Sequence, residues 1–365
     1  MSFDLFNFAK PVLHNLDAEL AHRLTLLSLN VGLYPRQKYE DDERLGQTIW
    51  GLSFPNPLGI AAGFDKDATV VDSLCNLGLG FVEVGTVTPR PQPGNPKPRI
   101  FRLQLDRAVI NRLGFNSSGH QAVYDHLKAQ KIPTILGVNV GANKDSANRA
   151  EDYVEGLQKF IEFADYFTIN VSSPNTPGLR ELQKPKELTA LLSWLIAARG
   201  ALMEAGHKWC PLLVKLAPDM ELRQLEQTVE CLLEHEIDGI IISNTTTGRE
   251  GLSDPVLARE SGGLSGRPLF QKSTEMLARV YLMTKGKVPL IGVGGIESGE
   301  TALAKIEAGA SLLQLYTGLI YSGPKLVGSI KKRLLEEIER EKLRDLRSLI
   351  GSKAEHWSAN APTLV

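Results

Sequence analysis

Eight short apolar runs, spread along most of the chain, constrain its fold more than any other feature. Each run is rich in β-branched residues and ends in small or polar ones. The runs are LGIAAGFD, FVEVGTVT, TILGVNVG, YFTINVSS, PLLVKLAP, DGIIISNTT, VPLIGVGG and LLQLYTGL, beginning at Leu58, Phe81, Thr134, Tyr166, Pro211, Asp238, Val288 and Leu312. Such near-continuous apolar runs are typical of parallel strands buried on both faces. Because helix-like segments such as ELTALLSWLIAARGALMEAG lie between them, the sequence predicts an α/β protein with a TIM (β/α)8 barrel.

Two intervals between these runs are longer than one helix requires. The first, PRPQPGNPKPRIFRLQLDRAVINRLGFNSSG, opens with prolines that forbid regular helix, and its RIFRL and AVI runs could form a small hairpin. The second, TGREGLSDPVLARESGGLSGRP, follows the sixth run. Long excursions at the carboxyl ends of barrel strands are where this architecture builds lids and binding loops.

The two ends of the chain lie outside the strand-helix pattern. Two short amphipathic helices are expected at the start, one with Leu5, Phe8, Val12 and Leu16 on a shared face, the other with Leu20, Leu24, Leu27 and Val31, separated by a break near Asp17. They could cap the barrel, or lie in a membrane interface and admit an apolar ligand between them. The expected units are a helical segment (1–40), a barrel (45–340) and a tail (341–365), and KKRLLEEIEREKLRDLRSLIG is expected to be a solvated helix.

Composition and charge exclude several classes of protein. With 41 basic and 42 acidic residues the chain has a formal net charge of -1, which offers no electrostatic footprint for nucleic acid. The three cysteines are far apart and lack CxxC spacing, so neither a disulfide framework nor a metal site is expected. The sequence shows no signal-peptide pattern and no run of about 20 apolar residues, so neither secretion nor a membrane-spanning helix is expected.

Polar and glycine-rich segments follow the predicted strands and are expected to converge at one end of the barrel. Lys66 and Lys215 each follow an apolar run, where a lysine is either a surface residue or a stabiliser of negative charge. The segments GGLSG, VGG and YTG are interpreted as glycine-rich turns whose backbone N–H groups could hold a phosphate, although glycines also form ordinary turns. Without a Walker A motif, a phosphorylated cofactor held by backbone is favoured over nucleotide hydrolysis.

Two further segments offer amides and hydroxyls. NVSSPNTPGLR, from Asn170, reads as a turn, yet its serines and asparagines could face a substrate. NRLGFN, from Asn111, adds amides that can pair with amide-like ligands, while Asn116 could instead cap the helix expected near Gly119.

Taken in order, these motifs resemble the dihydroorotate dehydrogenase family. The matching segments are AAGFDK, EVGTVTPRPQPGNPKPRIFRL, NRLGFN, NVSSPNTPGLR, VKLAPD, SNTT, GGLSGRPL, GVGGI and QLYTGL, which run from about Leu45 to Lys332. The resemblance implies a flavin enzyme that oxidises dihydroorotate to orotate on FMN in pyrimidine biosynthesis.

By matching motif positions, the resemblance also implies site residues. FMN would contact Ala62, Gly63, Lys66, Thr86, Asn139, Asn170, Lys215, Ser243, Gly266, Gly295, Tyr316 and Thr317. The substrate would be held by Lys66, Asn111, Arg112, Leu113, Gly114, Phe115, Asn170, Asn175, Asn244 and Thr245. His22, Arg102 and Tyr316 would line a path for quinone, with His22 the least secure of the three because a lone histidine on a helix is often simply solvated or packed.

The family resembled here divides by its catalytic base, which is serine in the quinone-reducing class and cysteine in the soluble class. Ser173 stands at the matching position, and the amphipathic N-terminal pair also resembles the quinone class. Because a free hydroxyl is a poor base at neutral pH, relay through Thr176 or an ordered water, beneath a loop carrying Phe115, is expected. The resemblance implies a peripheral protein on the cytoplasmic side of the cell inner membrane; the oligomeric state is left open, with a monomer as one option.

Three alternatives remain at this point. A phosphosugar isomerase or aldolase of the same fold would share the phosphate loops but would not need NRLGFN or SSPNT. A non-catalytic FMN-binding scaffold would bind flavin without reacting with dihydroorotate. A soluble, fumarate-reducing member of the same family is the nearest rival.

Overall fold

The computed structural model describes residues 5–36 and 41–359, and its centre is a closed barrel of eight parallel strands. The strands of the described residues are β1 (Gln47–Ile49), β2 (Leu52–Phe54), β3 (Leu58–Ile60), β4 (Phe81–Val87), β5 (Ile100–Leu103), β6 (Ala108–Asn111), β7 (Ile135–Val140), β8 (Tyr166–Asn170), β9 (Leu212–Leu216), β10 (Gly239–Ile242), β11 (Gly263–Gly266), β12 (Leu290–Val293) and β13 (Leu312–Leu315). The barrel is β3, β4, β7, β8, β9, β10, β12 and β13 in that order, with β13 closing onto β3. All eight predicted runs are barrel strands, so the TIM-barrel prediction is confirmed.

Helices surround the barrel and bury its outer face. They are α1 (Leu5–Asn15), α2 (Ala18–Asn30), α3 (Val71–Cys75), α4 (Gly119–Ala129), α5 (Arg149–Phe160), α6 (Pro185–Glu204), α7 (Leu222–Glu234), α8 (Phe270–Met283), α9 (Gly299–Glu307), α10 (Thr317–Ser322), α11 (Lys325–Arg340) and α12 (Ala354–Ala359). The main core lies between the outward-facing strand residues and these helices. Within residues 5–36 and 41–359, no helix is both long and apolar enough to cross a bilayer.

A hairpin that the sequence analysis did not predict closes the amino-terminal end of the barrel. Strands β1 and β2 pair antiparallel, with Gln47 opposite Phe54. The ring of Phe54 packs edge-on against Phe81 at 5.5 Å, and Trp50 lies 6.0 Å from Tyr166. These rings fill the barrel interior at this end, which leaves the carboxyl ends of the strands as the open side.

The two long excursions meet in one three-stranded sheet. The predicted hairpin is present as β5 and β6, and β11 adds to it, with Gly263 opposite Asn111 and Gly266 opposite Ala108. The interpretation of GGLSG as a glycine-rich turn was therefore wrong, because Gly263–Gly266 is a strand. A side chain at Gly266 would meet the backbone of Arg107 at 2.3 Å, so glycine is required by close strand packing.

The N-terminal helices dock on this sheet and leave several apolar residues exposed. Asp17 caps α2 at the predicted break. Arg99 holds Glu19 of α2 at 2.7 Å, and Arg102 donates to the carbonyls of Leu13 and Leu16. The exposed residues are Val12, Leu20, Leu24, Leu27, Val31 and Leu33. The pair thus caps the barrel and also presents exposed apolar residues; the side chains of Leu5 and Phe8, expected to share a face of α1 with Val12 and Leu16, lie outside the described residues.

The C-terminal helix differs from the expected solvated helix. Helix α11 begins earlier, at Lys325, ends at Arg340, and buries Leu326, Ile330, Leu334 and Ile338. Its exposed side carries ion pairs, including Lys332 with Glu336 at 3.7 Å. The chain then turns back, and Leu346, Leu349 and Ala354 are buried. The apolar residues spaced four apart in α11 therefore form a buried, packed face of the helix.

Candidate functional site

A cavity of about 450 Å³ opens at the carboxyl ends of the barrel strands and runs between α1 and α2. Nearly all residues predicted for the site line it. They are His22, Ala62, Gly63, Lys66, Thr86, Arg102, Asn111, Leu113, Gly114, Phe115, Asn170, Ser173, Asn175, Lys215, Ser243, Asn244, Thr245, Gly266, Gly295, Tyr316 and Thr317. The strand ends, the three-stranded sheet and the N-terminal helices therefore enclose one space.

Two of the predicted residues do not line this cavity. The guanidinium of Arg112 points away, to Glu260 at 2.5 Å, and lies 4.5 Å from the centre of the Phe101 ring. Asn139 is fully buried behind Thr86, whose hydroxyl donates to its Oδ1 at 2.6 Å. Arg112 can contribute its backbone, and Asn139 acts on the cavity through Thr86.

The segment after β8 places Ser173 in the cavity wall. The Ser173 hydroxyl is almost buried and accepts from the backbone N–H of Asn175 at 3.3 Å. The Asn175 amide donates to the carbonyl of Asn111 at 3.1 Å, which ties the segment to the three-stranded sheet. Among the described residues, no hydrogen bond joins the Ser173 hydroxyl to a histidine or a carboxylate, and the buried hydroxyl of Thr176 has no protein partner.

A set of side-chain amides lies beside Ser173. The Asn244 amide donates to Asn170 Oδ1 at 3.3 Å and to Ser172 Oγ at 3.0 Å. Its own oxygen accepts from the Thr245 N–H at 2.8 Å. These bonds fix the amides before any ligand arrives: they use both hydrogens of the Asn244 NH2 group, whereas Asn170 keeps one N–H beyond the bond that it donates to Thr86.

Two lysines bring positive charge to the cavity, although their burial disfavours the charged form. Desolvation lowers the pKa of Lys66 to about 8, with Asp67 acting in the opposite direction. Desolvation also lowers the pKa of Lys215, which is almost fully buried, and Glu83 partly offsets this. An anionic ligand would stabilise the charged form of either lysine.

Local structure holds Lys66 and Phe115 in place. The carboxylate of Asp65 accepts from the backbone N–H groups of Thr69 and Val70, each at 2.8 Å, and so fixes the turn after β3. Phe115 is buried with a positive φ of 52°, and its carbonyl accepts from Gln92 at 2.8 Å. The strained conformation of Phe115 is thus supported by its neighbours.

The turns that follow β12 and β13 also line the cavity at the carboxyl ends of the barrel strands. Gly295 has a φ of 73°, and a side chain there would lie 2.4 Å from Phe270 Cβ. Thr317 starts α10, and its hydroxyl donates to Ser265 Oγ at 2.9 Å. The first N–H groups of α10 have no acceptor within their helix, which suits a phosphate.

An apolar arm of the cavity lies between the barrel and the N-terminal helices. The ring of His22 packs edge-on against Phe64 at 5.4 Å and lies 6.4 Å from the ring of Tyr316. Desolvation, aided by Lys66, lowers the pKa of His22 to about 4. His22 is therefore neutral at physiological pH. Tyr316 donates to the carbonyl of Gly63 at 3.2 Å.

Several polar residues at the site were missed by the sequence analysis. Glu83 and Gln314 are buried in the barrel interior, and Gln314 lines the cavity with its Oε1 unpartnered. Arg180 donates to the carbonyls of Ser172 and Thr245, each at 3.1 Å. A carboxylate or amide within an apolar strand is the signal that could have revealed the first two, since such groups are rarely buried without partners.

Comparison with known proteins agrees with this geometry. The family model described as "Dihydroorotate dehydrogenase" matches residues 44–338. "Dihydroorotate dehydrogenase (quinone)" of Rhizobium meliloti (strain 1021) is 51% identical over 354 residues, or 97% of this chain and 98% of that protein. The protein of that name from Parvibaculum lavamentivorans is 51% identical over 350 residues, or 96% and 99%.

A solved structure is similar over most of its length. The DHODH of Eimeria tenella, crystallised with ferulenol, superposes with a TM-score of 0.88 at 40% identity, covering 92% of this chain and 95% of that one. The range matched by the family model, residues 44–338, includes the barrel and the strand-end motifs whose residues line the cavity. The chain therefore belongs to the dihydroorotate dehydrogenase family.

Proposed function

We propose that this protein oxidises (S)-dihydroorotate to orotate and passes the electrons to a membrane quinone, as a step of de novo pyrimidine biosynthesis. The observation that carries the proposal is the buried Ser173 hydroxyl, set among amides and lysines in a cavity that continues between α1 and α2. The relatives bearing the quinone name support the choice of acceptor.

The cavity fits FMN as prosthetic group. Backbone N–H groups around Gly266 at the end of β11, Gly295 after β12 and Thr317 at the start of α10 would hold its phosphate, since neither glycine has room for a side chain. Lys215 and the unpartnered Oε1 of Gln314 offer a cation and an acceptor toward its ring system. The remaining proposed contacts are Ala62, Gly63, Lys66, Thr86, Asn139, Asn170, Ser243 and Tyr316, with Asn139 acting from behind Thr86. When bound, FMN would supply the two-electron chemistry that links the two substrates.

Dihydroorotate carries a carboxylate and a ring with amide-like edges. Lys66 would hold the carboxylate, because it is a cation in the cavity wall. The amides of Asn111, Asn170, Asn175 and Asn244 suit the ring edges, since each has both a donor and an acceptor. The segment from Arg112 to Phe115, with Thr245, completes the enclosure and excludes water.

Ser173 would remove the proton from C5 of the substrate. A free hydroxyl is a weak base, and the described residues provide no histidine or carboxylate bonded to it. The unpartnered hydroxyl of Thr176, two residues past Pro174 in the same loop, is the group that supports a relay to Ser173 through an ordered water.

The apolar arm would admit the quinone. His22 and Tyr316 line it, and His22 is neutral, so it adds no charge that an apolar ring would have to desolvate. Arg102, which also lines the cavity, fixes the end of α1 through the carbonyls of Leu13 and Leu16. In this proposal residues 1–40 form the membrane-associating segment, 45–340 the FMN-binding barrel and 341–365 a C-terminal tail.

The proposal places the protein at the cytoplasmic side of the cell inner membrane as a peripheral protein. The exposed apolar residues of α1 and α2 support this, because they would be buried among lipid chains.

Absorbance of the purified protein tests the proposed function. We expect a yellow protein whose absorbance near ~450 nm is bleached by dihydroorotate and restored by a soluble quinone analogue, but not by fumarate. A protein that carries flavin yet is not bleached by dihydroorotate would contradict the proposal.

Membrane docking is tested by the double substitution Leu27→Glu/Val31→Glu. Each side chain is exposed on the proposed membrane face. Because burying one such side chain in lipid contributes about 2 kcal/mol, we expect the partition coefficient onto lipid vesicles, measured by flotation, to fall by at least about 100-fold. The matched control is Met203→Glu/Leu233→Glu, which changes exposed apolar residues on α6 and α7. Equal flotation of the two variants would argue against docking through α2.

A further inference from the structure

Glu83 is a carboxylate inside the barrel to which the proposed reaction assigns no role. It lies on β4 and is fully buried. Asn139 Nδ2 donates to its Oε1 at 2.8 Å. Three donors meet its Oε2: Gln314 Nε2 at 2.6 Å, Tyr166 Oη at 3.0 Å and Thr168 Oγ1 at 3.1 Å. Four donors around one side chain form an environment that suits a group with acceptors alone, which is a carboxylate.

A chain of hydrogen bonds leads from Oε1 of Glu83 to the cavity wall. Thr86 Oγ1 donates to Asn139 Oδ1 at 2.6 Å. Asn170 Nδ2 then donates to Thr86 Oγ1 at 2.8 Å, and Asn244 Nδ2 donates to Asn170 Oδ1 at 3.3 Å. Every bond in the chain runs in the same direction, with the donor on the cavity side.

The Glu83 carboxylate dictates this direction as far as Thr86, whereas the backbone N–H groups of Ser172 and Thr245 hold Asn170 Oδ1 and Asn244 Oδ1 independently, at 3.3 Å and 2.8 Å. Because the carboxylate can only accept, Asn139 must turn its NH2 group toward Glu83 and its oxygen toward Thr86. The Thr86 hydroxyl then has to donate to Asn139, so its oxygen is left to accept from Asn170. An isolated asparagine has no such constraint, since its two ends are nearly equal in shape.

We propose that Glu83 is a positioning residue, which through Asn139 fixes the hydrogen of the Thr86 hydroxyl and so leaves the Thr86 oxygen to hold the Asn170 amide beside the substrate. The inference rests on the proposed function, because its readout is the KM for dihydroorotate. Glu83 touches neither substrate nor cofactor in this proposal, and it acts through Asn139 and Thr86.

The isosteric variant Glu83→Gln is expected to reverse the part of the chain between Glu83 and Thr86. Three donors meet Oε2 and one meets Oε1, so the amide oxygen of the variant is favoured on the three-donor side. Its NH2 group would then face Asn139, which would turn over and direct its own NH2 group at Thr86. Asn170 stays held by the Ser172 N–H, so two NH2 groups would meet the Thr86 oxygen and the Thr86 hydroxyl hydrogen would lose its acceptor. We expect the KM for dihydroorotate to rise by about 10- to 100-fold, with a smaller change in kcat.

A carboxylate swap provides the rescue. In Glu83→Gln/Asn139→Asp, the NH2 group of the variant donates to a carboxylate at position 139, which again accepts from Thr86. The direction from Thr86 onward is restored, so we expect the KM to return to within about threefold of the wild-type value. Side chains that served only to fill space would give no such recovery.

Two further variants separate direction from charge. Glu83→Gln also removes a negative charge near Lys215, whereas Thr86→Val cuts the chain and leaves the charge, so it is expected to raise the KM in the same range. Thr168→Val removes a donor from the same carboxylate but lies off the chain, and we expect its KM to stay within about threefold of wild type.

The outcomes distinguish this inference from the proposed function. If the wild-type protein does not oxidise dihydroorotate, the proposed function fails. If it does, a wild-type KM in Glu83→Gln or in Thr86→Val overturns the positioning role, and so does a swap variant that folds but shows no recovery. Should Glu83→Gln alone not fold, the swap and Thr86→Val carry the test by the same criteria.

Discussion

Replacing Ser173 with alanine is expected to slow reduction of the flavin by dihydroorotate by about 10²- to 10⁴-fold, the range that a positioned general base contributes. The side chain is small and lies in the cavity wall, so its removal leaves room for substrate. We therefore expect the dissociation constant for orotate, followed by the change in flavin absorbance, to stay within about fivefold of wild type. Stopped-flow absorbance under anaerobic conditions measures the rate.

The variant Ser173→Cys is the matched comparison. A thiol has a reference pKa of about 8.5, far below that of an aliphatic hydroxyl, so this variant should keep part of the activity and reach its plateau at a lower pH than the wild type. An alanine variant that reduces flavin as fast as the wild type would exclude Ser173 as the base. A cysteine variant with the wild-type pH profile would point to a base elsewhere.

Replacing Lys66 with methionine is expected to weaken orotate binding by about 10- to 100-fold at pH 7, because hydrogen bonds to charged groups contribute about 1.5 to 3 kcal/mol. The pKa of Lys66 is lowered to about 8, with desolvation as the main cause, Arg99 acting in the same direction, and Asp67 and Glu19 opposing it. The ammonium is charged below this pKa and neutral above it. Wild-type affinity should therefore be highest below pH 8 and fall as the pH rises through about 8 to 10.

The pH dependence provides a second readout for Lys66. The methionine variant should show weak binding with no inflection near pH 8, and Lys128→Met, which changes an exposed lysine of α4, should behave as wild type. Affinity is the quantity to follow, since kcat also depends on the protonation of the base at Ser173. Binding that is independent of pH from 6 to 10 in the wild type would show that Lys66 does not hold the carboxylate.

The main architecture could be predicted from the sequence because its signals are local. Barrel strands such as Phe81–Val87 are buried on both faces, so they appear as continuous apolar runs. The hairpin of β1 and β2 could not be predicted, because strands of three residues such as Gln47–Ile49 are too short to show an alternating apolar pattern. Gly263–Gly266 was misread because its glycines serve close strand packing, which depends on Arg107 in a distant segment.

The residues proposed for the site came largely from the family resemblance of the motifs at the strand ends, and most of them line one cavity, whereas the residues that support them were not predicted. Glu83 and Gln314 lie in the same apolar runs that identified the barrel, and their polar character was overlooked. Their partners come from several strands, so only the closed barrel shows that both are hydrogen-bonded. The exposed apolar residues of α2 could be predicted from their spacing, since a helix of period 3.6 has a fixed set of faces.

Closure of the barrel has a consequence for how the chain folds. Strand β3 pairs with β4, which follows soon after it, and with β13, where Leu58 lies opposite Leu313. The first barrel strand therefore cannot complete its pairing until the last one has been synthesised, and until then both edges of the growing sheet are unpaired. Contacts this distant in sequence are slow to form, and open edges invite association with other chains. Substitutions in β13, the last barrel strand, should therefore lower the yield of refolded protein more than substitutions of equally buried residues in β7.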